Sequence, residues 1–143
     1  MKYMTCGESH GKYLSAILEG MPGGLVADAP RGPRFVSKPG IIYLAKRTGL
    51  PIIPVIWSAD RYWKLQSWDR TIIPKAFARI VALYADSYLL VPVDASRQEC
   101  EKYRRQLDHM LNQIMYQTDH FFNTPGVTDP RQIEVPEPIP LPD

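Results

Sequence analysis

The chain is expected to fold as α/β: a small mixed or parallel sheet flanked by helices. Three observations predict this. Apolar, β-branched runs at 51–57, 79–84 and 88–91 have the composition of short strands. Stretches at 39–48 and about 97–121 carry apolar residues at helical spacing. The 143 residues, 45% hydrophobic and 22% charged, suit one soluble domain with a single modest core.

Each element has a local reason. Residues 2–6 are a short strand candidate. Ser9 stands as an N-cap before Tyr13, Leu14, Ile17 and Leu18, and Gly20 as a stop, which predicts a helix at about 10–19. Glycines with Pro22, Pro30 and Pro33 make 20–34 a loop. Pro39 in an N1-like position opens a helix that runs through Lys46 and Arg47 and ends at Gly49. Pro51 to Trp57 reads as a strand buried on both faces, with Trp57 in the core. Arg61 to Gln66 alternates like an edge strand, and Arg79–Tyr84 and Tyr88–Val91 are two more strand candidates. Ser96 and Glu99 form a capping box that opens the longest helix, and Tyr103, Leu107, Met110, Leu111 and Ile114 are its packing stripe. From Thr124 the material changes. Pro136, Pro138, Pro140 and Pro142 exclude a helix, so residues 123–143 are expected to be a disordered tail.

Charge is unevenly placed. Residues 28–79 hold ten Lys/Arg against three Asp, an excess of +7, while 119–143 hold five acids against Arg131. A basic middle suits an anionic lipid or a phosphate-bearing small molecule. A solvated basic face is the competing reading. Nucleic acid is not expected, because the aromatics interleave with strand residues and no nucleic-acid motif appears. Two distant cysteines, Cys6 and Cys100, give neither a disulfide framework nor a metal cage. No apolar run reaches membrane-span length, and Glu8 and His10 interrupt the start where a secretory leader would be apolar. The expected location is cytoplasmic, with peripheral contact at the inner membrane surface as a variant.

Two motif sets lie end to end. From Asp28, the pieces Asp28-Ala-Pro-Arg-Gly-Pro-Arg34, Lys38-Pro-Gly40, Gly49-Leu-Pro-Ile-Ile-Pro-Val55, Ser67-Trp-Asp-Arg70 and Ile73-Pro-Lys75 occur in order. Residues 28–122 thereby resemble the C-terminal half of a bacterial lysophospholipid-acyltransferase-like family. The resemblance implies an incomplete acyltransferase-like fold and acyl transfer from a thioester donor to a lysolipid-type hydroxyl. It also implies that Asp28 and Arg31 belong to the acceptor-phosphate loop, with Arg34 and Lys38 adding to its field; a guanidinium can hold a phosphate bidentately. A loop ion pair between Asp28 and Arg31 is the alternative. The family's His-x-x-x-x-Asp base is missing: Ser15, Ile114 and Pro125 stand five residues after His10, His109 and His120. Ala29 also replaces the usual glycine of the phosphate loop. A protein of this kind is expected to be inactive alone. Trp68, flanked by Ser67, Asp69 and Arg70, is the tryptophan expected at the surface.

Residues 4–25, which include Gly7-Glu8-Ser9-His10-Gly11, resemble the opening of chorismate synthase. That resemblance implies flavin-dependent phosphate elimination from a shikimate-pathway enol-ether, with His10 as the acid and FMN as cofactor. A helix-start histidine exposed to solvent is the competing reading of His10. The organisation predicted is therefore 1–25 from one family, 26–122 as an α/β body and 123–143 as tail, an apparent fusion. Three functions follow: a partial acyltransferase-like protein without cofactor or metal, a chorismate-synthase-like piece using FMN, or a non-catalytic remnant binding anionic lipid or phosphate.

Overall fold

The computed structural model describes residues 35–67 and 70–140, together with the backbone of two short strands at 13–16 and 24–25. In chain order the elements are β1 (Tyr13–Ala16), β2 (Gly24–Leu25), α1 (Pro39–Thr48), β3 (Ile53–Ala59), β4 (Tyr62–Lys64), β5 (Ile72–Pro74), β6 (Ile80–Tyr84), α2 (Arg97–Phe121) and a 3-10 turn (Pro130–Gln132). Strands β2-β1-β3-β6 make one sheet, and β4-β5 a separate hairpin.

The α/β character is present, but every strand pairing among the described residues is antiparallel. A mixed or parallel sheet is therefore corrected. A parallel pair needs a crossover, usually helical, between adjacent strands. Here β1 and β3 are neighbours with β2 and α1 between them in the chain, yet they pair antiparallel, so α1 is not a parallel crossover, and α2 follows the last strand.

The helix expected at about 10–19 is also corrected. Tyr13–Ala16 is extended and pairs with both β2 and β3, in register Tyr13 with Ile56 through Ala16 with Ile53. Ladder bonds on two sides outweigh a modest local helix preference. The possible strand at 2–6 lies outside the described residues.

Helix α1 begins and ends as its sequence signals require. Pro39 occupies the first turn, and Gly49, at φ 69°, closes the end with its N–H donated to the Ala45 carbonyl at 2.8 Å. Strand β3 is buried mainly on one face, with Ala59 buried at its end on the other. Pro54, Ile56 and Ser58 point into the interior, while Ile53 is exposed and Val55 and Trp57 are half-buried. Trp57 is thus a sheet-face residue rather than core. The run at 88–91 makes a single bridge, Ile52 with Leu89, bonded in both directions at 2.8 and 2.9 Å. Pro51 and Pro92 lack the N–H groups that would extend it.

The core joins the two helices to the inner sheet face. Ile41, Ile42 and Ala45 of α1 cluster with Ile52, Ile56, Leu83, Leu89 and Val91, and with Leu107, Leu111, Ile114 and Met115 of α2. The predicted stripe is this buried face of α2, with Tyr103 packed at its edge. Ser96 accepts from the Glu99 N–H at 3.2 Å, and the Glu99 carboxylate accepts from the Ser96 N–H at 2.7 Å, completing the capping box.

The tail does not behave as loose chain. Asp129 caps the turn at Pro130–Gln132, Pro130 is buried, and Gln117 of α2 donates to the Ile133 carbonyl at 3.3 Å. Arg131 reaches Asp86 at 2.8 Å and the Tyr84 carbonyl at 3.4 Å. A 3-10 turn accepts Pro at its first position and needs few donors, so Pro130 is compatible with it.

Candidate functional site

Of the five residues singled out by sequence, His10, Asp28, Arg31 and Arg34 lie outside the described residues, as does Trp68. Lys38 is described. It is the N-cap of α1, with extended backbone at φ −85° and ψ 147°, and it supplies no side-chain cap. The first turn contains no acid. A Cβ placed on Gly40 would meet nothing within 4 Å, so the approach to this turn is open. The carboxylates nearest this helix start, Asp108 and Glu101, come from α2 and are both held by Arg104.

A polar network fixes that helix start. Asp108 Oδ1 accepts from the Ser37 N–H at 2.7 Å, and Asp108 Oδ2 accepts from Arg104 Nη1 at 2.7 Å. The same guanidinium reaches the Ser37 carbonyl at 3.3 Å and holds Glu101 through Nη2 at 2.7 Å and Nε at 2.8 Å. Hydrogen bonding from Arg104 pulls the Glu101 carboxyl down to about 2, and Glu101 in return raises the Arg104 guanidinium. Ser37 itself is buried. Upstream, Phe35 turns the chain at φ 66° and packs on the core, so the segment enters α1 by a constrained path.

Beside this turn is an open groove of about 490 Å³ lined by Pro39, Tyr43, Arg97, Cys100 and Glu101. Lys46, on the same helix, donates to the Ala95 carbonyl at 2.6 Å and serves as a tie between loop and helix. The sequence reading used α2 only as a packing helix and missed Arg104 and Asp108. Their i, i+4 spacing was the available signal; the partner at Ser37 was not, being 71 positions away.

The two described histidines lie on α2. His109 is exposed, and His120 stacks on Tyr116 with Nδ1 2.8 Å from the Tyr116 carbonyl oxygen. Ser58 donates to Asp119 at 3.2 Å across the sheet–helix junction, a structural contact. Among the described residues no three His, Cys, Asp or Glu side chains could hold a metal ion. No described helix is long and apolar enough to cross a membrane.

Comparison with known proteins gives partial matches. The chain is 68% identical over 38 residues to a chorismate synthase of Exiguobacterium sibiricum, covering 27% of this chain and 10% of that enzyme. It is 33% identical over 88 residues to a chorismate synthase of Streptococcus equi subsp. zooepidemicus, 48% of this chain and 22% of the enzyme. It is also 36% identical over 64 residues to the uncharacterized protein RP090 of Rickettsia prowazekii, 45% of this chain and 29% of that protein. Part of the chain is thus chorismate-synthase-like. The chain spans less than a third of the length of each of these relatives. No family model matches the chain, and no solved structure matches it.

Proposed function

We propose that the chain recognises a phosphate-bearing small molecule of the chorismate-synthase type through its N-terminal segment, without completing that enzyme's reaction. The 68% identity over 38 residues to a chorismate synthase carries this reading. His10 is its proposed ligand-contacting residue. No step is assigned to FMN, because a segment of this length cannot enclose an isoalloxazine ring by itself. The experiment is calorimetric titration of the full chain with the shikimate-pathway enol-ether phosphate, with and without FMN. Saturable binding weakened about tenfold or more in His10→Ala supports the reading. Equal binding by both proteins, or none by either, overturns it.

A second reading rests on the helix start. In a partial acyltransferase-like body, 26–122, the Lys38-Pro39-Gly40 turn would contribute to holding the acceptor phosphate. The open, acid-free first turn of α1 favours it. Mixing the chain with acyl thioester and lysophospholipid should give no transfer, and lysophospholipid binding should weaken in Lys38→Ala. Unchanged affinity of that variant removes the second reading.

A further inference from the structure

The β4–β5 hairpin carries an apolar face that is largely exposed. Trp63 and Ile73 are cross-strand partners and therefore lie side by side on one face, 56% and 43% exposed. Leu65, two residues after Trp63 on the same face, is exposed as well. At the other end of the hairpin Phe77 is 96% exposed, the least covered large apolar side chain described.

Phe77 is also held in a conformation that a bulky residue avoids, φ 62°. Two contacts fix it there. Arg61 Nη2 donates to the Phe77 carbonyl at 2.6 Å, and the Ala78 N–H donates to the Lys75 carbonyl at 3.1 Å. Lys75 in turn sits with its ammonium 5.8 Å from the Trp63 ring centroid. Phe77 thus points outward from a backbone held by one cation, Arg61, while a second cation, Lys75, lies over the Trp63 ring.

The charges choose the partner. Arg61, Lys64, Arg70, Lys75 and Arg79 lie in or next to the hairpin in sequence, and Asp60 is the one carboxylate described between residues 60 and 80. Asp60 is shared, 3.8 Å from Arg61 and 3.0 Å from Arg79, and those partners hold its carboxyl below the usual range. Two copies meeting through this face would oppose their cations. An anionic bilayer accepts both features, because Trp and Phe enter the headgroup boundary while Arg and Lys meet lipid phosphate.

We propose that the β4–β5 hairpin and the Phe77 turn form a peripheral docking surface for anionic membranes. This proposal is independent of the phosphate-ligand reading above, since it uses none of the same residues. The full chain is to be sedimented with phosphatidylcholine vesicles and with phosphatidylcholine–phosphatidylglycerol vesicles, at low and physiological salt, with oligomeric state measured by light scattering. Binding to the anionic vesicles alone, weakened by salt and reduced on the order of tenfold in Trp63→Ser/Phe77→Ser, supports the proposal. The melting temperature of the variant should stay close to that of the parent, because both side chains are exposed. Phe77→Ser alone, at the most exposed position, keeps the test decisive if the double variant fails to fold. Absence of vesicle binding, equal binding by the variants, or a parent dimer that the variants convert to monomer each overturns it.

Discussion

The Ser37 N–H donates to Asp108 Oδ1 at 2.7 Å, joining the entry of α1 to the middle of α2 across 71 positions of sequence. Because Ser37 is buried, no water replaces Asp108 easily, and Arg104 closes the same ring from the other side. The orientation of the open helix start at Lys38 follows from this pair.

Asp108→Ala should therefore destabilise the chain by about 1–3 kcal/mol, the cost of a buried donor left unsatisfied. Asp108→Asn keeps an acceptor and should lose less. Urea denaturation of the three proteins checks the order. Equal stability of parent and Asp108→Ala would place the Ser37 N–H in contact with solvent.

Leu107→Ala should cost about 2–5 kcal/mol, because the side chain is fully buried at the junction of both helices. Chemical denaturation measures it directly. A cost near that of a surface substitution would mean that α2 does not seat on the core as described.

Removal of residues 128–143 should lower stability by about 1–3 kcal/mol, through the loss of buried Pro130 and the Gln117–Ile133 hydrogen bond. Arg131→Ala alone should change little, since its pairs with Asp86 and Asp129 are solvent-exposed. An unaltered melting temperature after truncation would restore the picture of a loose tail.

Glu101 makes stability sensitive to acid. Its folded carboxyl lies at about 2, below its ordinary 4.5, so its contribution is complete above 4.5 and disappears as pH falls toward 2. Glu101→Gln should be less stable than the parent at neutral pH, and the two should converge across that window. Thermal melts between neutral pH and pH 2 follow the gap. A constant difference would sink the assignment.

Local signals determined much of this chain. Pro39 and Gly49 bound α1, and Ser96 with Glu99 sets the start of α2, because caps and prolines act within one helical turn. The stripe from Leu107 to Ile114 named the buried face of α2 for the same reason. The partial similarity to chorismate synthase was also legible, since the motif quoted for it, Gly7-Glu8-Ser9-His10-Gly11, is a run of consecutive residues. Tertiary pairing decided the rest. Tyr13–Ala16 is a strand where β3 offers it an edge, and β1 and β3 pair antiparallel even though α1 lies between them in the chain. Trp57 is half-buried because only one face of β3 meets α2. Pro130 is buried because α2 and the end of β6 form its seat. Each of these depends on partners tens of residues away, whose free energy of contact exceeds the fraction of a kcal/mol that local propensity supplies per residue.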